Sequence, residues 1–405
     1  MLDGSLDGLD TIDWGSLTHA YGTAEDVPGL LRDLRSDDPE VVEAALEWLF
    51  SNIFHQGTRY QASSYAVPFL LELAADPAVR QRHAIVQLLA ALAIGDSQGH
   101  VATRFPIAWL REEVAQLPQE VGQALTRQMN EWLASDRHDG ATEFPLSQPE
   151  LRLLEARHAL AAYDAVLQGV PVIAALCNDA DAELAGNAVY ALAWFPERAE
   201  EIVPVLAGLV ADGEQPMELV STALVALGLV APQGVTTFDE LLGVHLEGDE
   251  PTLRWSAAVA WAHVAGDAVP AAALEELKAS ASGCGEDYED TIWQLTRSQI
   301  ALFLLDRLAE PVAAEVRAGL VAGELAKTPD SNWHNHFVEV LDYAYPSMDS
   351  GHGRSFAELT PAQQAAIVWL VDNPHVFGPF GPDMLLRMYG LPTTHEGLRS
   401  YAGVS

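Results

Sequence analysis

The chain has 405 residues, 49% of them apolar, and a formal charge of −37 from 58 acidic against 21 basic side chains. That apolar fraction excludes a disordered chain, and the charge opposes direct nucleic-acid binding, which needs Lys and Arg to replace counterions on phosphates. The longest apolar stretches, such as Ala84 to Ile94 broken by Gln87, fall short of the roughly eighteen residues a membrane span requires.

Met1-Leu2-Asp3-Gly4 has neither a basic region nor an apolar core, so no secretion signal is expected. Cys177 and Cys284 are too few for a disulfide framework, which makes a reduced, cytoplasmic setting the expectation. The acidity reads first as solubility or salt adaptation, and it would also favour a basic partner.

In chain order, a polar lead-in precedes a first helix at Val27 to Leu34. Ser36-Asp37-Asp38-Pro39-Glu40 carries the chemistry of a helix start, and a second helix follows with Val41, Ala45, Trp48 and Leu49 at its repeated apolar positions. It ends near Ile53-Phe54 and runs into His55-Gln56-Gly57-Thr58-Arg59-Tyr60. The next pair begins near Ala66, and its second helix is Arg82 to Ile94. The segments His19-Ala20-Tyr21-Gly22, His55-Gln56-Gly57-Thr58 and Val67-Pro68-Phe69-Leu70 resemble the amino-terminal part of a group of uncharacterised bacterial HEAT-repeat proteins. The resemblance implies a fold and brings no activity with it.

Two readings of the 55–58 segment are open. Either His55, Gln56, Thr58 and Tyr60 present polar groups to a partner, or Gly57 simply stops a helix in a left-handed turn. His19 with Tyr21 reads as a packed cap rather than a reactive pair.

From Asp96 to about Gln148 the rhythm stops. A helical period persists from Trp109 to Asn130, and a loop follows at 135–142. Insertions between repeats map to one face, and that face often binds. Arg104, Trp109, Arg137 and His138 are therefore partner-contact candidates, the competing reading being a helix packed on the outside. His138-Asp139 alone is too little for a metal site.

The region Val172 to Ala265 repeats itself. Leu184, Leu219 and Leu253 share one slot, followed by Ala188, Ala223 and Ala257, then Ala191, Ala226 and Ala260. Such a fixed step marks stacked supersecondary units. Each unit reads as two helices around a short polar turn, with small residues letting neighbours approach, a pattern that resembles HEAT-type repeats. Stacked second helices make a concave surface, which would carry Trp48, Trp194 and Trp261. Further helices are expected at 291–308 and 311–325, and a closing cap after 356. His334 and His336 face different sides of a helix and make a poor metal pair. His395-Glu396 is the chain's single His-Glu dipeptide, too few for an iron hydroxylase of the helical-repeat kind.

The expected fold is all-α: a right-handed α-solenoid of HEAT-like hairpins with an inserted helix and loop and a helical C-terminal cap. Its segments are 1–96, 97–148, 149–310 and 311–405, read as one continuous solenoid. The expected function is a non-enzymatic scaffold that binds a protein partner, a basic one being favoured by the charge, as an immunity or antitoxin protein would. No cofactor or metal is expected. The alternatives are a lyase or hydrolase on the same frame and an acidic mimic of nucleic acid.

Overall fold

Asp38 shows how this chain begins a helix. Its carboxylate accepts the Glu40 amide at 3.0 Å while Pro39 fills the first helical position, which relieves one of the orphan donors every helix start leaves. Asp181 repeats the device on the amides of Glu183 and Leu184. The computed structural model describes residues 6–96, 99–133, 145–282, 292–326, 340–341, 343–345, 353–377 and 382–404. Within them the protein is mostly helical, and the only strands are four two-residue pieces forming two antiparallel hairpins. The chain divides into two compact units, Met1–Ala273 with Asp290–Leu295, and Leu274–Glu289 with Thr296–Ser405.

In the first unit two 3-10 turns, Leu9–Thr11 and Trp14–Ser16, precede hairpin β1 (Thr18–His19) and β2 (Gly22–Thr23). Helices α1 (Val27–Asp33) and α2 (Pro39–Asn52) follow, then hairpin β3 (Phe54–His55) and β4 (Thr58–Arg59). Next come α3 (Gln61–Ala75) and α4 (Arg82–Ile94), the latter with the bounds read from the sequence. An intervening block holds α5 (His100–Thr103), α6 (Ile107–Ala115), α7 (Gln119–Leu133) and α8 (Gln148–Gln168). The repeats then resume as three pairs. These are α9 (Val170–Leu176) with α10 (Ala182–Leu192), α11 (Ala199–Ala211) with α12 (Met217–Val230), and α13 (Asp239–Leu246) with α14 (Pro251–Val264).

The second helices form a row. α4 packs on α10, α10 on α12, and α12 on α14. The alanines that share a slot in the sequence, Ala188, Ala191, Ala223, Ala226, Ala257 and Ala260, are all inaccessible. α12 and α14 approach so closely that a Cβ on Gly228 would lie 2.6 Å from the Cα of Ala260. Asn187, Thr222 and Ser256 occupy a second repeated slot, and each bonds the carbonyl four residues back. Each bond engages a polar donor within its own apolar helix; Ser256 also meets Ser221 of α12 at 2.7 Å. Arg82 ties α4 to the turn before α10 through Asp179 at 2.9 Å, so the row passes from α4 to α10 across the whole intervening block.

The helical period from Trp109 to Asn130 is not one helix. It breaks between α6 and α7 at Pro118, which lacks an N–H and disfavours helical backbone in the residue before it. Among the described residues no single helix is long and apolar enough to cross a membrane; α8 and α9 pass only as a pair, bent by 56°.

α15 (Ala271–Ser282) contains the unit boundary. The second unit holds α16 (Arg297–Leu308), α17 (Glu310–Leu325), α18 (Pro361–Asp372), α19 (Asp383–Met388) and α20 (His395–Tyr401). α16 starts later than the sequence suggests, because Thr296 caps it by accepting the Gln299 amide while the Gln299 side chain returns to the Thr296 amide. α17 packs on α16 and α18 around a core that includes Val321, Ile367, Leu370 and Leu398. His334, His336 and Cys284 lie outside the described residues.

Candidate functional site

The hairpin at Gln56-Gly57 forms one edge of the site. His55 pairs with Thr58 and Phe54 with Arg59. Gln56 has φ 48° and Gly57 φ 82°, the paired left-handed conformation of a tight two-residue hairpin turn. The helix-stop reading of this segment is therefore corrected. α2 already ends at Asn52, and the Ile53 amide closes it on the Leu49 carbonyl. Gly57 does supply a left-handed residue, but for a strand reversal.

A second hairpin braces the first. His19 is buried, its Nδ1 accepts the Tyr21 amide at 3.1 Å, and its Nε2–H donates to Asp26 at 2.9 Å. Asn52 donates to the other oxygen of Asp26 at 2.6 Å. Burial alone would raise the Asp26 carboxyl; the hydrogen bonds from His19 and Asn52 outweigh it and hold it below the usual carboxylate value. Both imidazole nitrogens are thus engaged, which makes His19 a brace for the hairpin. Tyr21 is 62% exposed, with its ring edge against His55 at a centroid distance of 5.4 Å. Tyr60 precedes α3, where Ser63 accepts its amide and donates to the Ile53 carbonyl.

Under the hairpin lies Arg59, whose Nη1 donates to the Gly57 carbonyl at 2.5 Å. Burial brings its pKa down to about 10, with the charge of Glu155 opposing the drop. Gly95 makes the space: a Cβ there would sit 1.9 Å from Nη1, and its φ of 74° favours glycine in any case.

The cleft beside this hairpin has a volume of about 490 Å³. Its walls come from α2 (Phe50), the hairpin (Phe54, Gln56), α4 and its end (Gln87, Asp96), α10 (Asn187, Tyr190) and the segment at Gln294. Four of these side chains are amides, and Asp96 is the one carboxylate among the described lining residues. Asn187 is 4% exposed; its Nδ2 donates to the Glu183 carbonyl while its Oδ1 has no donor among the described residues. Gln294 has φ 59° and Gln56 φ 48°, a conformation that side-chain-bearing residues adopt at some cost and that gathers at functional sites. Phe50 and Phe54 meet edge to face at 6.4 Å. Amides offer a donor and an acceptor each and aromatic rings offer apolar faces, so the cleft suits a ligand that alternates polar and apolar groups, as an extended peptide does.

Of the sequence candidates, His55, Gln56, Thr58 and Tyr60 fall together at this edge, and Gln56 lines the cleft. Arg104 is engaged within the fold. Its Nη2 donates to the carbonyls of Gly228, Ala231 and His263 at 3.0–3.1 Å, closing the C-terminal ends of α12 and α14. His263 returns the contact by donating from Nε2 to the Val101 carbonyl at 2.7 Å. Trp109, on α6, is 59% exposed. On the same helix, Arg111 bridges Asp164 and Glu197, each at 2.7 Å. Arg137 and His138 lie outside the described residues. Of the three tryptophans expected on a concave face, Trp48 is exposed, Trp261 half-buried and Trp194 buried.

Sequence reasoning missed Phe50, Gln87, Asn187 and Gln294. Two of them had a signal: Gln87 and Asn187 are single amides inside largely apolar helices. Among the described residues no group of three or more His, Cys, Asp or Glu could hold a metal ion. Cys177 is buried, and burial pushes its thiol up to about 12. His395 donates from Nε2 to the Val371 carbonyl at 2.8 Å and so serves as a tie within the second unit. No known protein family matches the chain, and neither does any curated protein.

Proposed function

We propose that this protein is a non-enzymatic interaction scaffold that holds an extended, basic segment of a partner protein in the cleft beside Gln56. The frame we propose is a right-handed α-solenoid of HEAT-like hairpins, and the setting is the cytoplasm. Neighbour-to-neighbour packing from α4 to α14 supports the frame, because stacked repeats bury their cores only against the next unit. The observation that carries the functional reading is the wall of four amides with aromatic faces and a single carboxylate. Peptide groups need one donor and one acceptor apiece, which Gln and Asn side chains supply together. A surface with a net charge of −37 accelerates encounter with a basic chain and suppresses an acidic one.

The test is affinity capture with mass spectrometry from the native host, comparing the wild type with Gln87→Arg. Gln87 is exposed on α4, so the substitution blocks the cleft and adds a repelling charge while leaving the fold alone. The expected result is a basic protein recovered by the wild type and lost with the variant. Equal recovery by both, or recovery of no specific protein, contradicts the proposal.

A further inference from the structure

A second cavity, of about 510 Å³, opens between α3, α7 and α8 and is walled differently from the cleft. Arg127 from α7 and Arg157 from α8 both face it, and no carboxylate is among the described residues that line it. In a chain with 58 acidic against 21 basic side chains, a wall of surface residues would ordinarily carry more carboxylates than guanidiniums. Elsewhere Arg32, Arg35, Arg82, Arg111, Arg198 and Arg317 each hold a carboxylate partner. Arg127 and Arg157 form no ion pair among the described residues, so no described carboxylate competes for their donors.

The rim is fixed by hydrogen bonds that orient further donors. Asn130 donates to the Ser16 carbonyl at 3.1 Å and to Gln61 Oε1 at 2.9 Å, and it accepts from Thr18 at 3.0 Å. With its oxygen taken by Asn130, the Gln61 side chain retains its NH₂ for donation. Arg157 lies against α7 because residue 122 is glycine: a Cβ there would come within 2.0 Å of Arg157 Nη1. His158 sits at the same wall, and burial together with the Arg157 charge brings its pKa down to about 4, so it is neutral at pH 7 and leaves the positive charge of the described wall to the two guanidiniums.

We propose that this cavity binds a small oxyanion, a free phosphate or carboxylate compound, gripped by the Arg127 and Arg157 guanidiniums with Gln61 donating from the rim. Guanidinium forks match both oxyanions with paired, charge-assisted hydrogen bonds, and the volume is that of an ordinary small-molecule site. The site is separate from the cleft beside Gln56 and does not depend on the scaffold reading.

The experiment is calorimetric titration of the full chain with inorganic phosphate and, separately, with succinate. Saturable one-site binding of at least one of them is expected, weakening as salt is added; whichever binds more tightly identifies the source of the oxyanion. Arg157→Gln should lower the affinity at least about tenfold. Gly122→Ala should do the same by displacing the end of the flexible Arg157 side chain, while the circular dichroism stays unchanged. Arg152→Gln, an exposed position on α8 that does not line the cavity, should bind as the wild type does. Should Gly122→Ala lose its fold, the Arg157→Gln and Arg152→Gln pair decides. Absence of saturation by both anions up to about 10 mM, or equal weakening by Arg152→Gln and Arg157→Gln, overturns the proposal.

Discussion

The row α10–α12–α14 and the block from His100 to Ala115 are held in place by opposite means. In the row, small side chains one repeat apart press together: Ala223 and Ala257 are inaccessible, and Gly228 lies against Ala260. In the block, a few polar side chains reach far along the chain. Arg104 closes the ends of two helices at Gly228 and His263, and Arg111 joins Asp164 to Glu197. The first kind of contact depends on the absence of atoms and the second on the presence of one charged group, so the two regions should fail in different ways.

The largest effect is expected where the row is tightest. Gly228→Val places new atoms against backbone that cannot move aside, and it should destabilise the first unit by about 3 kcal/mol or more, seen as a lower urea midpoint. Arg104→Met removes a cationic cap from three carbonyls. It should lower stability by about 2–3 kcal/mol and raise amide exchange at the last turns of α12 and α14, leaving α10 protected. If exchange rises evenly through the row, Arg104 is not a local cap.

His158, on α8, gives a pH handle on the helices around the block. Its folded pKa of about 4 lies below the unfolded value of 6.5, so the unfolded chain takes up the proton first as pH falls. The stability from the neutral imidazole is complete above pH 6.5 and is lost progressively toward pH 4. His158→Gln should remove a component on the order of 1–3 kcal/mol across that window, measured as the difference between the two proteins' stability-against-pH curves. The smallest effect marks the contrast with Gly228. Gly186, in α10, has open space where a Cβ would project, with no neighbouring atom within 4 Å, so Gly186→Ala should stabilise by about 0.5–1 kcal/mol through helix propensity.

This difference also explains what the sequence could convey. The alanine slots were legible because they repeat at a fixed step, and the turns at Asp38-Pro39 and Asp181 because each is a local pattern. The bounds of α4 followed from the same periodicity. The β3–β4 hairpin was not legible, since Gly57 suits a helix end as well as a strand reversal and only the pairing of His55 with Thr58 separates them. The role of Arg104 was hidden for a different reason: its three acceptors lie more than a hundred residues away along the chain. The cleft is intermediate. Gln56 is a candidate in the sequence, Gln87 shows there only as a polar break in an apolar run and not as a site residue, and Asn187 and Gln294 reach the same wall only through tertiary packing, such as that of α4 on α10.

Site-specific photo-crosslinking in the native host decides whether, as we propose, a partner's chain lies in the cleft beside Gln56. A photoreactive phenylalanine analogue placed at position 87 faces the cleft, and the same group at position 244, exposed on α13, does not line it. A discrete crosslink to a basic protein is expected from position 87 and none from position 244. Crosslinks from 244 alone, or from neither position, would contradict it.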